Sequence, residues 1–149
     1  SHWEPIETTI TSMQGGGGKR DQMTAGGLCG FGTLLDPSIT TADNLSGQVL
    51  AKKGELPEVR TECSIEIHLM KNMVAGEGEQ PETIYPLRNN EMLMVNVATS
   101  TSVGIVKGVE KGKANLQLRL PICADHGQRV SLSRRVGARW RLIGHGTIL

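Results

Sequence analysis

Five arginines and no acidic residue follow Asp125: Arg129, Arg134, Arg135, Arg139 and Arg141. A guanidinium presents a planar fork of donors that matches phosphate oxygens better than a lysine ammonium does. An arginine-only stretch is therefore a candidate surface for nucleic-acid phosphates, with Arg139 and Arg141 at its centre and Arg134 and Arg135 beside them. The competing reading is a solvated face that contacts nothing. A second basic spot, Lys19-Arg20, follows the glycine run Gly15 to Gly18. It resembles a phosphate loop only superficially. Met13 and Arg20 stand where a Walker loop requires Gly and Ser or Thr. Lys19 and Arg20 are thus either the tip of a freely varying loop or a mobile contact to RNA or another subunit.

Other reactive side chains are scattered. Cys29, Cys63 and Cys123 are odd in number, far apart and without a Cys-x-x-Cys pair, so they read as reduced, unbridged core residues of a cytosolic protein. Cys123-x-x-His126 is half a metal motif, and structural zinc needs four ligands, so no metal site is expected. His68 reads as a surface strand residue without a metal or catalytic partner in view. No nucleophile elbow, paired-carboxylate constellation or His-Glu-x-x-His occurs, and the guanine-nucleotide motifs are absent. No catalytic residue, nucleotide site or cofactor of this chain is expected.

The elements that must position these residues are strands. Val130 and Leu132 alternate with Ser131 and Ser133, and Val136-Gly137-Ala138 supplies a turn. Alternation then resumes, placing Trp140 and Leu142 on one face and Arg139 and Arg141 on the other. The segment reads as a hairpin with an apolar and a basic face. Gly144 and Gly146 bracket His145, as happens where a strand bends or another backbone comes close. Upstream, Cys63, Ile65, Ile67 and Leu69 alternate inward against Ser64, Glu66 and His68, and Ala114, Leu116, Leu118 and Leu120 repeat the pattern. Met92 to Val97 and Val103 to Val109 read as strands joined by residues 99–102. Near the start, Pro5 to Met13, Gly26 to Leu34 and Gly47 to Ala51 read as strands, and Asp36-Pro37-Ser38 opens a short helical turn.

With 149 residues, 38% apolar content, 19 glycines and four aromatic side chains, the chain suits an all-β fold with an aliphatic core. Nine or ten short strands and one helical piece fit antiparallel β-barrels, split at the polar, Pro/Gly-marked segment Lys52 to Pro57. The expected domains are residues 1–55 and 56–149. Net charge is +1, but eight glutamates lie between Gly54 and Glu91 and the arginines gather at the end. Such polarity orients a chain on an anionic partner despite a near-neutral total. No signal peptide or long apolar run is present, so no membrane is expected. The opening Ser-His-Trp, without Met, gives the impression of a piece of something larger.

Several stretches carry a resemblance. Gly47-Gln48-Val49-Leu50-Ala51-Lys52-Lys53-Gly54 resembles the segment joining the second and third domains of translational GTPases such as elongation factor Tu. Asp125-His126-Gly127-Gln128-Arg129-Val130 resembles a turn and strand late in their third domain. Gly32-Thr33-Leu34-Leu35-Asp36-Pro37, Glu55-Leu56-Pro57, Asn90-Glu91-Met92-Leu93-Met94-Val95-Asn96, Ser133-Arg134-Arg135 and Trp140-Arg141-Leu142-Ile143-Gly144 are more specific. They resemble the gamma subunit of archaeal/eukaryotic translation initiation factor two, over nearly the whole chain. The glycine run at Gly15 to Gly18 has no counterpart in that resemblance.

The resemblance implies β-barrels of the domain 2/domain 3 type, the end of the second domain followed by the third. It implies a cytoplasmic heterotrimer with alpha and beta subunits that carries initiator methionyl-tRNA to the small ribosomal subunit. GTP and magnesium would belong to a first domain outside this chain. The candidate RNA contacts remain Arg134, Arg135, Arg139, Arg141, Lys19 and Arg20. The alternatives are the barrels of a selenocysteine-specific or other tRNA-carrying elongation factor, and a structural barrel whose basic edge touches nothing.

Overall fold

A computed structural model of the chain describes residues 3–149. Ser1 and His2, the start of the opening tripeptide, lie outside the described residues. The described residues form nine strands and one four-residue helix. They fall into two compact units, Ser1–Leu45 and Ser46–Leu149.

The first unit is a three-stranded antiparallel sheet, ordered β2-β1-β3, of β1 (Ile10–Gly15), β2 (Gly18–Lys19) and β3 (Gly30–Thr33). The glycine run is the hairpin turn between β1 and β2, where Gly18 takes φ +106°. The Pro5–Met13 stretch becomes a strand only from Ile10. Helix α1 (Pro37–Thr40) starts as its residues dictate: the Asp36 carboxylate accepts from Ser38 N–H at 2.8 Å, and proline stands in the first turn. No described residue of this unit is fully buried, and Ile6, Leu28 and Leu34 are exposed. It is an open sheet; the closed barrel lies in the second unit.

The second unit is a closed six-stranded barrel in the order β4-β7-β6-β5-β8-β9. Its strands are β4 (Val59–Leu69), β5 (Met92–Val97), β6 (Ser100–Glu110), β7 (Lys113–Cys123), β8 (Arg129–Val136) and β9 (Arg139–Ile148). All pairings are antiparallel. Period-two alternation delivers Ile65, Leu93, Val95, Val106, Leu116, Leu132 and Ile148 to the interior. Each such side chain contributes about 1.5–3 kcal/mol by leaving water.

Other expected features differ. The expected strand Gly26 to Leu34 shortens to β3, and Leu120, expected inside, is exposed. Residues 47–51 are not a strand: Gly47 has φ +78°, and its carbonyl accepts from the Ser100 hydroxyl, so the segment runs as a loop along the β5–β6 turn. The β5–β6 connection is shorter than residues 99–102, because β6 already begins at Ser100.

The barrel closes where β4 meets β9, and glycine makes that possible. A Cβ on Gly144 would collide with the His68 carbonyl, and one on Gly146 would stand 2.8 Å from the Glu66 carbonyl oxygen. The bracketing glycines seen in the sequence are therefore the seam of the barrel.

Candidate nucleic-acid interface

The β8–β9 hairpin turns at Gly137-Ala138, with Val136 opposite Arg139. Gly137 takes φ +60°, as the first central position of a tight two-residue hairpin turn requires. Toward the barrel middle the register slips: Leu132 pairs with Gly144, but Ser133 pairs with Leu142. Ile143 is the extra residue of a β-bulge, and it is completely buried. A bulge reverses the facing of everything on one side of it. Leu142, expected inside, is 43% exposed, and Ile143 takes the core position. Arg141 consequently shares the inward-facing row of Ile143 at the barrel's end, and Trp140 stands half-buried opposite Arg135.

Arg134 continues the inward row of Val130 and Leu132. Its side chain is only 3% exposed, and all three of its guanidinium nitrogens donate hydrogen bonds. Nε and Nη2 donate to the two carboxylate oxygens of Glu91, the latter at 3.1 Å. Nη1 donates to the Tyr85 carbonyl at 3.0 Å and Nη2 also to the Pro86 carbonyl at 3.4 Å. The guanidinium carbon lies 3.8 Å from the Tyr85 ring centre, and Arg88 lies 4.8 Å from the same ring. A buried bidentate pair of this kind keeps the guanidinium out of a phosphate's reach.

Arg141 is turned to the acidic loop. Nη2 donates to Glu79 Oε2 at 2.7 Å, and Nη1 to the Val74 carbonyl at 3.2 Å. Glu79 also accepts from Gly76 N–H at 3.2 Å. The Arg141 hydrogen bond, then the Gly76 amide and the charge of Arg141, hold the Glu79 carboxyl below its ordinary range. Arg135 and Arg139 remain exposed; the Arg135 Nε donates to its own turn at Gly137 O, 3.3 Å. In the first unit, Lys19 and Arg20 are both exposed beside the glycine turn. The candidate residues thus divide: Arg135, Arg139, Lys19 and Arg20 face solvent, Arg141 is shared with an acid, and Arg134 is internal.

The residues that decide this division are Glu91, Tyr85 and Glu79; the sequence marked the glutamate-rich segment that holds Glu79 and Glu91 but not which arginine each would meet. One signal was available. Arg134 is two residues beyond Leu132, and Glu91 two before Leu93, so period two alone carries both side chains inward.

The three cysteines are free. Burial pushes the Cys63 thiol up to about 11 and raises Cys123 as well, whose sulfur donates to the Pro57 carbonyl at 3.0 Å. Among the described residues no group of three or more His, Cys, Asp or Glu is placed to hold a metal ion, and no helix is long and apolar enough to cross a membrane.

Comparison with known proteins follows the same part of the molecule. The family described as "Initiation factor eIF2 gamma, C terminal" matches residues 61–148, the barrel from β4 to the end of β9. The translation initiation factor 2 subunit gamma of Methanothermobacter thermautotrophicus is 48% identical over 98% of this chain and 35% of its own length. The same subunit of Methanococcus maripaludis is 46% identical over 100% of this chain and 36% of its own length. That of Thermococcus kodakarensis is 44% identical over 98% and 35%. The chain spans about a third of the length of the curated relatives it matches.

Proposed function

This chain belongs to the family of the C-terminal part of initiation factor eIF2 gamma, and we propose from that premise that it serves as the β-barrel portion of a translation initiation factor. In this reading, residues 1–55 end a second domain and residues 56–149 are the third. The whole protein, in the cytoplasm with its alpha and beta subunits, delivers initiator methionyl-tRNA to the small ribosomal subunit in a GTP-dependent way. GTP, its magnesium ion and the hydrolysis belong to the remainder of the protein. The observation that carries the reading is the match of 98–100% of this chain, at 44–48% identity, to proteins named as that subunit.

The role of the barrel in this scheme is contact rather than chemistry. Arg135 and Arg139 at the β8–β9 tip, and Lys19 and Arg20 at the glycine turn, are the exposed cations suited to RNA phosphate. Arg141 joins them when Glu79 gives way. The Glu91–Arg134 pair holds the supporting loop in place beneath.

The test is an anisotropy titration of labelled initiator tRNA and of small-subunit RNA fragments against this chain, between about 50 and 200 mM salt. Binding should weaken steeply with salt, and Arg135→Gln with Arg139→Gln should flatten the slope by roughly two phosphate contacts. The same substitutions in the full-length subunit should slow delivery of the initiator tRNA. RNA affinity and delivery that are both unchanged would make these arginines a solvated face.

A further inference from the structure

The register of the barrel seam sets His68 of β4 directly opposite His145 of β9. Both side chains are exposed on the outer surface. Their rings stack, with centroids 5.2 Å apart and planes 27° from parallel. The seam glycines fix this juxtaposition, since any side chain on Gly144 or Gly146 would push β9 away from the β4 backbone. Neither histidine belongs to the arginine face, and the family match assigns no role to either.

We propose that His68 and His145 form a two-histidine site for a borderline divalent cation of the zinc, nickel or copper class. Neutral imidazole is the side chain these ions prefer, and two on adjacent strands act as a chelate with little ordering left to do. Metal–nitrogen bonds of about 2.0–2.1 Å hold two cis nitrogens roughly 3 Å apart. Each ring nitrogen lies about one ångström from its ring centre, so an ion bound to both rings stands roughly 3.2 Å from each centre and, at a tetrahedral angle, sets the centres about 5 Å apart, close to the spacing these two rings have. In the stack the nitrogen lone pairs lie in the ring planes; turning each ring about χ2 out of the stack points one nitrogen of each at a shared ion, and both side chains are exposed.

The remaining positions stay open to water, because the described residues include no third histidine, cysteine or carboxylate in the cluster. Glu66, two residues before His68, its partner Thr147, two after His145, and Ser131, opposite His145 on β8, are oxygen-bearing neighbours by register. Such a site binds reversibly rather than as a closed structural centre. It spans the first and last strands of the barrel, so an ion there ties the seam and stabilises only the closed form.

Zinc titration by calorimetry tests the proposal directly. One Zn²⁺ should bind per chain, and His68→Gln and His145→Gln should each weaken binding at least tenfold, whereas His126→Gln should not. Zinc should raise the thermal midpoint of the native chain and leave that of both seam variants unmoved. His145→Phe keeps an aromatic ring in the stack without its nitrogens, so it should retain the zinc-free midpoint and lose the zinc response. Binding that survives both single seam substitutions, or that depends on only one of the two histidines, would overturn the site.

Discussion

Arg134 and Arg141 stand directly opposite each other on β8 and β9, and both guanidinium groups reach into the segment that connects β4 to β5. Arg134 holds its end, through Glu91, Tyr85 and Pro86; Arg141 holds its middle, through Val74 and Glu79. The segment contributes Met73, Ile84 and Leu87 to the core, and an isolated bridge between Asn72 and Thr83 pinches it shut. Two arginines of the basic stretch are therefore first of all fasteners of an acidic loop.

Removing the internal fastener should be costly. Arg134→Met takes the guanidinium from two backbone carbonyls and from the Glu91 carboxylate, which keeps only the Arg88 N–H, at 3.1 Å, among these contacts. Breaking a buried pair in this way costs about 3–5 kcal/mol, and the lower end applies because Glu91 keeps a path to water. Urea unfolding should show the loss, and Arg134→Met combined with Glu91→Leu should recover part of it. A loss below about 0.5 kcal/mol would mean the pair is an exposed one.

The Arg141–Glu79 contact should depend on pH. The folded Glu79 carboxyl is held below its ordinary value of 4.5, so its contribution is complete above that value and lost as pH falls through the lower folded one. Carbon-detected NMR should show the Glu79 carboxyl protonating below 4.5. Arg141→Gln should return it toward 4.5. A Glu79 titration that ignores Arg141 would show the contact to be absent in solution.

Closure of the barrel should hinge on Gly144. Gly144→Ala places a methyl against the β4 backbone, which has nowhere to move without parting the seam. A loss of more than about 2 kcal/mol in chemical unfolding is expected, in line with overpacking at a rigid site. Gly108→Ala, in the same barrel but with nothing within 4 Å of the added carbon, should stay within about 0.5 kcal/mol. Equal effects at the two positions would argue against a close β4–β9 approach.

The thiols should separate by burial. With a pKa of about 11, Cys63 carries only about one thiolate per thousand molecules at pH 8, and it sits in the core. Titration with a disulfide reagent should find Cys29 first, Cys123 more slowly, and Cys63 only after unfolding. Three thiols in the denatured, unreduced chain are expected; a count of one would reveal a bridge.

Much of the barrel was legible in the sequence because a strand with one buried face writes its own period. Cys63 and Ile65, Ala114 and Leu116, Val130 and Leu132 all declare their side, and Gly137-Ala138 declares its turn. The short helix at Pro37 was equally local, since its cap and its proline lie within three residues. The family could be read from a handful of short stretches for the same reason. Tertiary structure decided what depends on pairing between distant segments. The bulge at Ile143 exists only relative to β8, and it reversed the faces of Trp140, Arg141 and Leu142. Arg134 and Glu91, 43 residues apart, needed the β5–β8 register to meet, and Arg141 and Glu79, 62 apart, needed the loop to fold back. His68 and His145 became neighbours only when the first and last strands of the barrel closed on each other, an event that no local period encodes.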